Sequence, residues 1–160
     1  MYTDVTKQDS EILVPYITDK NSKDYRRYKT LSSGIVLSGQ DIYSISDGIV
    51  ILVGEDESKL STVIVQYNLT QCFSYCLLTS TYVNANDIVT KGTKLGTCKN
   101  KMRFEYLTSS KDNSIWARRI DDLVYYPQNP TEVLNGNIEL DSKITLYSGF
   151  NTQTVFGSTP

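Results

Sequence analysis

Apolar residues along this chain come in short runs cut by glycines and polar pairs, and the runs have the length of strands. The densest is Ile49-Val50-Ile51-Leu52-Val53, with Asp47-Gly48 before it and Gly54 after it. Four of these five residues are β-branched, and the run is too short for a core helix. Being apolar toward both faces, it predicts a central strand covered on both sides. The Asp47-Gly48 pair predicts a hairpin turn leading into it. Similar runs predict strands at residues 34–37, 42–45, 62–67, 71–78 and 94–97. Residues 102–107 alternate and predict a strand with one wet face. Residues 38–40 and 89–92 read as turns, and residues 55–59 as a charged hairpin tip. A short apolar patch at 12–17 is broken by Pro15, which suits an edge strand or a packed arm.

The helical period appears only weakly. It is visible at residues 115–124 through Trp116, Ile120, Leu123 and Val124. It returns at 130–134, where Asn129-Pro130-Thr131-Glu132 is a helix-start signature and Asn135-Gly136 a C-cap pair. Residues 143–147 read as a last strand before a polar tail. Short, glycine-punctuated strands with little helix predict an all-β fold, an antiparallel sandwich or partly open barrel. The organisation expected is an N-terminal arm (1–30), a β domain (31–135) and a C-terminal extension (136–160).

Composition narrows the function. The chain has 160 residues, 39% hydrophobic and 21% charged, enough to bury one core. A net charge of -2 gives no global attraction for nucleic acid or an anionic membrane. The basic run around Tyr25, Arg26, Arg27 and Tyr28 is short and diluted by Asp19 and Asp24, so it reads as a solvated loop. There is no histidine, which removes the commonest general base and the commonest zinc ligand together. The three cysteines, Cys72, Cys76 and Cys98, lack metal or disulfide spacing and read as buried free thiols. The N-terminus is polar, so neither a signal peptide nor a membrane span is expected. The expected setting is therefore a cytoplasm, or an exterior reached by other means.

In their order, these segments resemble the lysostaphin-type (LytM-type) zinc metallopeptidase domain, whose members cut peptide cross-links of bacterial cell walls. The resemblance runs over about residues 31–135. It begins with SSGIVL (32–37), where the family has a His, a Gly two residues on and an Asp two further. It continues through IYSISDGIVILVG, TVIVQY and FSYCLL, the last similar to the segment carrying the family's Tyr-x-His-Leu. VNANDIVTKGTKLGTC resembles the family's paired-turn segment, KMRFEY its His-x-His-Phe-Glu, and YYPQNPTEVL its closing stretch. Gly48, Gly54, Gly92 and Gly96 are expected where tight turns join the strands.

The resemblance puts the family's zinc ligands and catalytic histidines at Ser32, Val36, Leu77, Lys101 and Arg103. A hydroxyl is a poor zinc ligand, Val and Leu have no donor atom, and Lys and Arg bring positive charge to a cation's place. Asp41 could serve as a displaced ligand under a shifted alignment, but one carboxylate cannot hold zinc alone. The expectation is a degenerate domain without catalytic residues, metal or cofactor, with Arg103 and Glu105 stabilising the old site or Arg103 merely on a solvent face. Tyr43, Tyr75, Arg103, Glu105 and Tyr106 are candidate contacts of a residual groove. Cys76, next to Leu77, would lack a base as a nucleophile. The function expected is a structural or interaction module. By analogy this is a phage tail or baseplate component in the virion, whose partners are other protein subunits. The alternative is a module that binds peptidoglycan or regulates a hydrolase.

Overall fold

The apolar run 49–53 lies within a strand of the computed structural model, which describes residues 1–111 and 115–135. In chain order the strands are β1 Tyr2–Thr3, β2 Gln8–Asp9, β3 Ile12–Val14, β4 Ile35–Ser38, β5 Asp41–Tyr43 and β6 Gly48–Glu55. They continue with β7 Ser61–Asn68, β8 Gln71–Thr81, β9 Ile88–Val89, β10 Lys94–Thr108, β11 Arg118–Ile120 and β12 Leu123–Gln128. Among the described residues, one α-helix, α1 at Lys23–Tyr28, and a 3-10 helix at Pro130–Val133 complete them. The fold is all-β and antiparallel, and its main sheet is open, as the sequence pattern predicts.

The main sheet runs β11-β12-β10-β8-β7-β6-β9, with β4 and β5 also paired to β10 and β3 to β4. The organising strand is therefore β10 rather than the apolar run. Residues 96–97 of β10 face both β5 and β8, residues 103–104 face both β4 and β8, and residues 106–108 face both β12 and β8. By contrast, β6 pairs with β7 along its length but with β9 only at Gly48 and Ile49. Ile49 and Val50 are buried, while Ile51, Leu52 and Val53 are only half-buried. The expectation of a strand covered on both faces thus holds for its first half alone.

Asp47-Gly48 is not a hairpin turn. Gly48 is the first residue of β6, and a Cβ there would lie 2.3 Å from the Gln66 carbonyl oxygen. This glycine lets β6 approach β7 closely. Gly54 and Gly96 also lie inside strands, and of the four only Gly92, at φ +94, occupies a turn that needs left-handed backbone. The charged tip at 55–59 does join β6 to β7, where Asp56 Oδ1 accepts from the Ser58 and Leu60 amides at 2.8 and 3.0 Å.

Two helical readings change. Residues 118–128 form the β11–β12 hairpin, with Ile120 and Tyr125 packed on Cys72 and Leu107, so the apolar residues there mark the buried side of a hairpin rather than a helix face. The basic stretch at 23–28, expected as a loop, is helical but buries nothing. Its Ser22 side chain caps the Tyr25 amide and Lys29 closes it in left-handed conformation at φ 60. The helix at 130–133 forms where the Asn-Pro signature places it, with Asn129 as its cap. Gly136, residues 143–147 and the extension lie outside the described residues.

Much of the N-terminal segment ahead of α1 packs onto the domain. Val5 is fully buried in the main core, and β3 extends the sheet through β4. That core centres on an aromatic column. Phe73 stacks on Phe104 and Tyr106 at centroid distances of 6.0 and 5.4 Å, and Tyr75 tilts against Phe104 at 5.4 Å. Each such ring contributes several kcal/mol of burial, which fixes one face of β8 and β10 inward. The opposite face of the same strands carries the candidate site.

Candidate functional site

Alternation along β10 sends Met102, Phe104 and Tyr106 to the aromatic core and Arg103 and Glu105 to the other face. Register sets their neighbours. Arg103 sits between Val36 of β4 and Cys76 of β8, and Glu105 lies opposite Ser74. Gly34 precedes β4 at the level of Glu105, and a Cβ there would lie 2.8 Å from Glu105 Cγ and 2.3 Å from the Phe104 carbonyl oxygen. The missing side chain at 34 makes the space in which the Glu105 carboxylate is held.

Glu105 is 1% exposed, so its charge needs strong compensation. Arg118, projecting from β11, supplies it with Nη2 at 3.1 Å from Oε2 and Nε at 3.4 Å from Oε1. The same Nη2 donates to Ser33 Oγ at 3.0 Å, and Ser33 Oγ donates in turn to Glu105 Oε2 in a short hydrogen bond. Arg103 Nε stands 3.3 Å from Oε2 as an ion pair, yet this buried nitrogen lacks a hydrogen bond. Burial works against the Arg103 charge, but Cys76 and Glu105 beside it raise its pKa above the ordinary arginine value. Two guanidinium cations meet one carboxylate, so the cluster carries one excess positive charge.

The cluster forms one wall of a cleft of about 310 Å³ lined by Val14, Thr30, Leu31, Ser32, Ser33, Val36, Arg103 and Trp116. Three positions singled out in the sequence, Ser32, Val36 and Arg103, therefore come together. Ser32 is buried and donates to the Gly34 carbonyl at 2.6 Å. Leu77 and Lys101 do not line the cleft. They lie where a bulge interrupts the β8–β10 ladder between Cys98 and Arg103, with Leu77 held at φ 69 and Lys101 exposed. Asp41 pairs with Lys94 at 2.9 Å and lines a different cavity with Thr97, Cys98 and Asn100.

The proposed groove contacts divide. Arg103 and Glu105 share the cleft side. Tyr75 is fully buried in the core, its hydroxyl accepting from the Ile45 amide at 3.0 Å, so it is not a surface contact. Tyr106 lies on the core side of β10, where its hydroxyl accepts from Gln71 at 2.9 Å. Tyr43 lies on β5 under the Lys7 ammonium, 4.2 Å from its ring centre. Alternation alone separates Tyr106 from Arg103 and Glu105, and this signal was available in KMRFEY. The wet face expected for this strand is instead a buried ion cluster.

All three cysteines are buried and free. Burial pushes the Cys72 thiol up to about 12, and burial with the nearby Asp41 charge pushes Cys98 up to about 11. Cys76 Sγ is 3.3 Å from Ser74 Oγ, and the chain offers no imidazole to activate it. Sequence reasoning missed Ser33, Arg118 and Trp116. Arg118 comes from a hairpin read as helical, and only an acid set in an apolar strand hinted that Glu105 needed a second cation.

Over this frame and site, residues 32–111 match the model of peptidase family M23. The chain belongs to peptidase family M23. No curated protein matches it significantly. Among solved structures it is similar to a chain of the SpoIIIAH–SpoIIQ complex, with TM-score 0.60 and 19% identity over 82% of this chain and 96% of that one. A mutant form of the catalytic domain of the prophage-encoded M23 protein EnpA from Enterococcus faecalis aligns with TM-score 0.56 and 13% identity over 78% and 91% of the two chains. The solution structure of lysostaphin aligns with TM-score 0.59 and 14% identity over 89% of this chain and 58% of that one. At these identities the likeness is one of fold.

The M23 resemblance implies zinc, and the donor set here does not fit it. Among the described residues, no three His, Cys, Asp or Glu side chains gather as a metal would require. The one carboxylate of the cleft region is already saturated by Arg118, Ser33 and Arg103.

Proposed function

We propose that this M23 domain is a non-catalytic protein-interaction module. The carrying observation is the Arg103–Glu105–Arg118 cluster with Ser33 beside the positions where the resemblance places metal ligands. A fixed guanidinium there repels a divalent cation and leaves no Lewis acid or base for amide hydrolysis. The frame is retained while the donors are replaced. A structural neighbour that forms a protein complex, SpoIIIAH–SpoIIQ, supports the interaction reading at the level of fold. We place the module, by analogy only, in a phage tail or baseplate, since a prophage-encoded protein shares the fold. The test is hydrolysis of purified cell wall, with affinity capture from the native source in parallel. The reading requires no wall cleavage with added zinc and a stoichiometric protein partner, whereas release of wall peptides would overturn it. Peptidoglycan retained without cleavage would favour the wall-binding alternative.

A further inference from the structure

We propose that the cleft beside Arg103 is a carboxylate-binding anchor for a protein partner, the guanidinium standing where a cation would otherwise draw the acid. This rests on the interaction reading above and names its chemistry. Three observations converge on it. The cluster of Arg103, Arg118 and Glu105 carries one uncompensated positive charge. Arg103 lines the cleft, and its side chain keeps 36% of its surface exposed although its Nε is buried without a hydrogen bond. Arg118 is occupied by Glu105 and Ser33, which hold the base of the site rigid, while Arg103, held by Glu105 on one side, is the cation of the cluster that lines the cleft.

The remaining walls, Val14, Leu31, Val36 and Trp116, are apolar, with Ser32, Ser33 and Thr30 supplying hydroxyls. At about 310 Å³ the cleft suits one acidic side chain or chain terminus with part of its neighbour, at the small end of ligand pockets. A planar carboxylate matches the guanidinium fork, and the part-apolar lining favours a single negative charge over a doubly charged phosphate. The apolar walls also favour a side chain of a polypeptide rather than a polar glycan as the flanking group.

The chain has one tryptophan, and it lines this cleft, so its fluorescence reports occupancy directly. Titrations with N-acetylglutamate α-amide, N-acetylglycine, N-acetylglutamine amide and inorganic phosphate separate a side-chain acid, a terminal acid, a neutral isostere and a phosphate. The expected result is a saturable change with at least one of the two acids, at millimolar Kd for so small a probe. It should be absent with the neutral amide and weaker with phosphate. Arg103→Gln should weaken binding at least about tenfold, since one charge-assisted fork is lost. Its fold is expected to survive because Arg118 and Ser33 still hold Glu105. As a second variant, Val36→Glu places a carboxylate directly opposite Arg103 and should abolish probe binding while leaving the protein folded. Equal response to acid and amide, preference for phosphate, or unchanged binding in both variants would overturn the proposal. Arg103-dependent retention on purified cell wall would overturn the protein partner. Wall hydrolysis would sink the interaction reading itself, whereas an inert protein that ignores the acids would sink only this anchor.

Discussion

Replacing Glu105 by Gln is the sharpest perturbation of the cluster, because it removes the charge while keeping the shape. The carboxylate is 1% exposed and takes hydrogen bonds from Arg118 and Ser33 beside the Arg103 ion pair. In the Glu105→Gln variant the amide oxygen could still accept from Ser33, but both guanidinium groups lose their counter-ion. Breaking a buried pair from one side costs about 3–5 kcal/mol when the orphan charge stays buried. Here the arginine side chains are 33% and 36% exposed and can turn toward water, which discounts the loss. The expected cost is about 3 kcal/mol, the low end of that range. For a chain of this length it corresponds to a drop of about 6–12 °C in Tm. Urea denaturation of Glu105→Gln, Arg118→Gln and the double variant would measure it. The double variant should fall short of the sum of the singles by about 1–2 kcal/mol, because each change relieves the orphan left by the other. A loss below about 0.5 kcal/mol for Glu105→Gln, or strict additivity, would refute a coupled buried cluster.

Other substitutions test the frame around it. Gly48→Ala, whose Cβ would meet the Gln66 carbonyl at 2.3 Å, should lose at least about 2 kcal/mol by chemical denaturation. Gly54→Ala, with its nearest atom at 3.5 Å, should stay within about 0.5 kcal/mol. Tyr75→Phe should cost about 1–3 kcal/mol in the same assay by orphaning the buried Ile45 amide, while carboxylate-probe binding stays unchanged. The raised Cys72 thiol predicts alkaline instability. Above about pH 9 the unfolded chain releases this proton while the folded chain keeps it up to about 12. Cys72 alone should therefore lower stability by roughly 1.4 kcal/mol per pH unit within that window, with a further fall from Cys98 up to about 11. Under reducing conditions, Cys72→Ala should reduce the slope and leave the Cys98 share, and an unchanged slope would contradict the assignment.

Much of the frame was legible because strands declare themselves through β-branched runs and glycine breaks. Residues 62–67 and 71–78 fall inside β7 and β8 for that reason. What stayed hidden depended on pairing. The run at 49–53 is the most apolar, yet its place beside the two-residue β9 leaves half of it poorly covered. β10 looked like two modest strands and is one of 15 residues that pairs with β4, β5, β8 and β12, a role no local pattern encodes. In the site, Ser32, Val36 and Arg103 could be picked out by order and spacing, since the pairing of β4 with β10 brings them to one cleft. Arg118 could not, because its distance to Glu105 is set by a β11–β12 hairpin whose apolar spacing resembles a short helix. Helix α1 was missed because its only signals are caps, with no buried face to impose a period.

We propose that a guanidinium–carboxylate cluster stands in place of the family's metal centre on this M23 frame. Metal content of the purified full chain, after equilibration with excess zinc and removal of free ion, tests this most directly. No zinc above the level carried by the buffer is expected, in the native protein and in Arg103→Gln alike. One zinc bound per chain would contradict it.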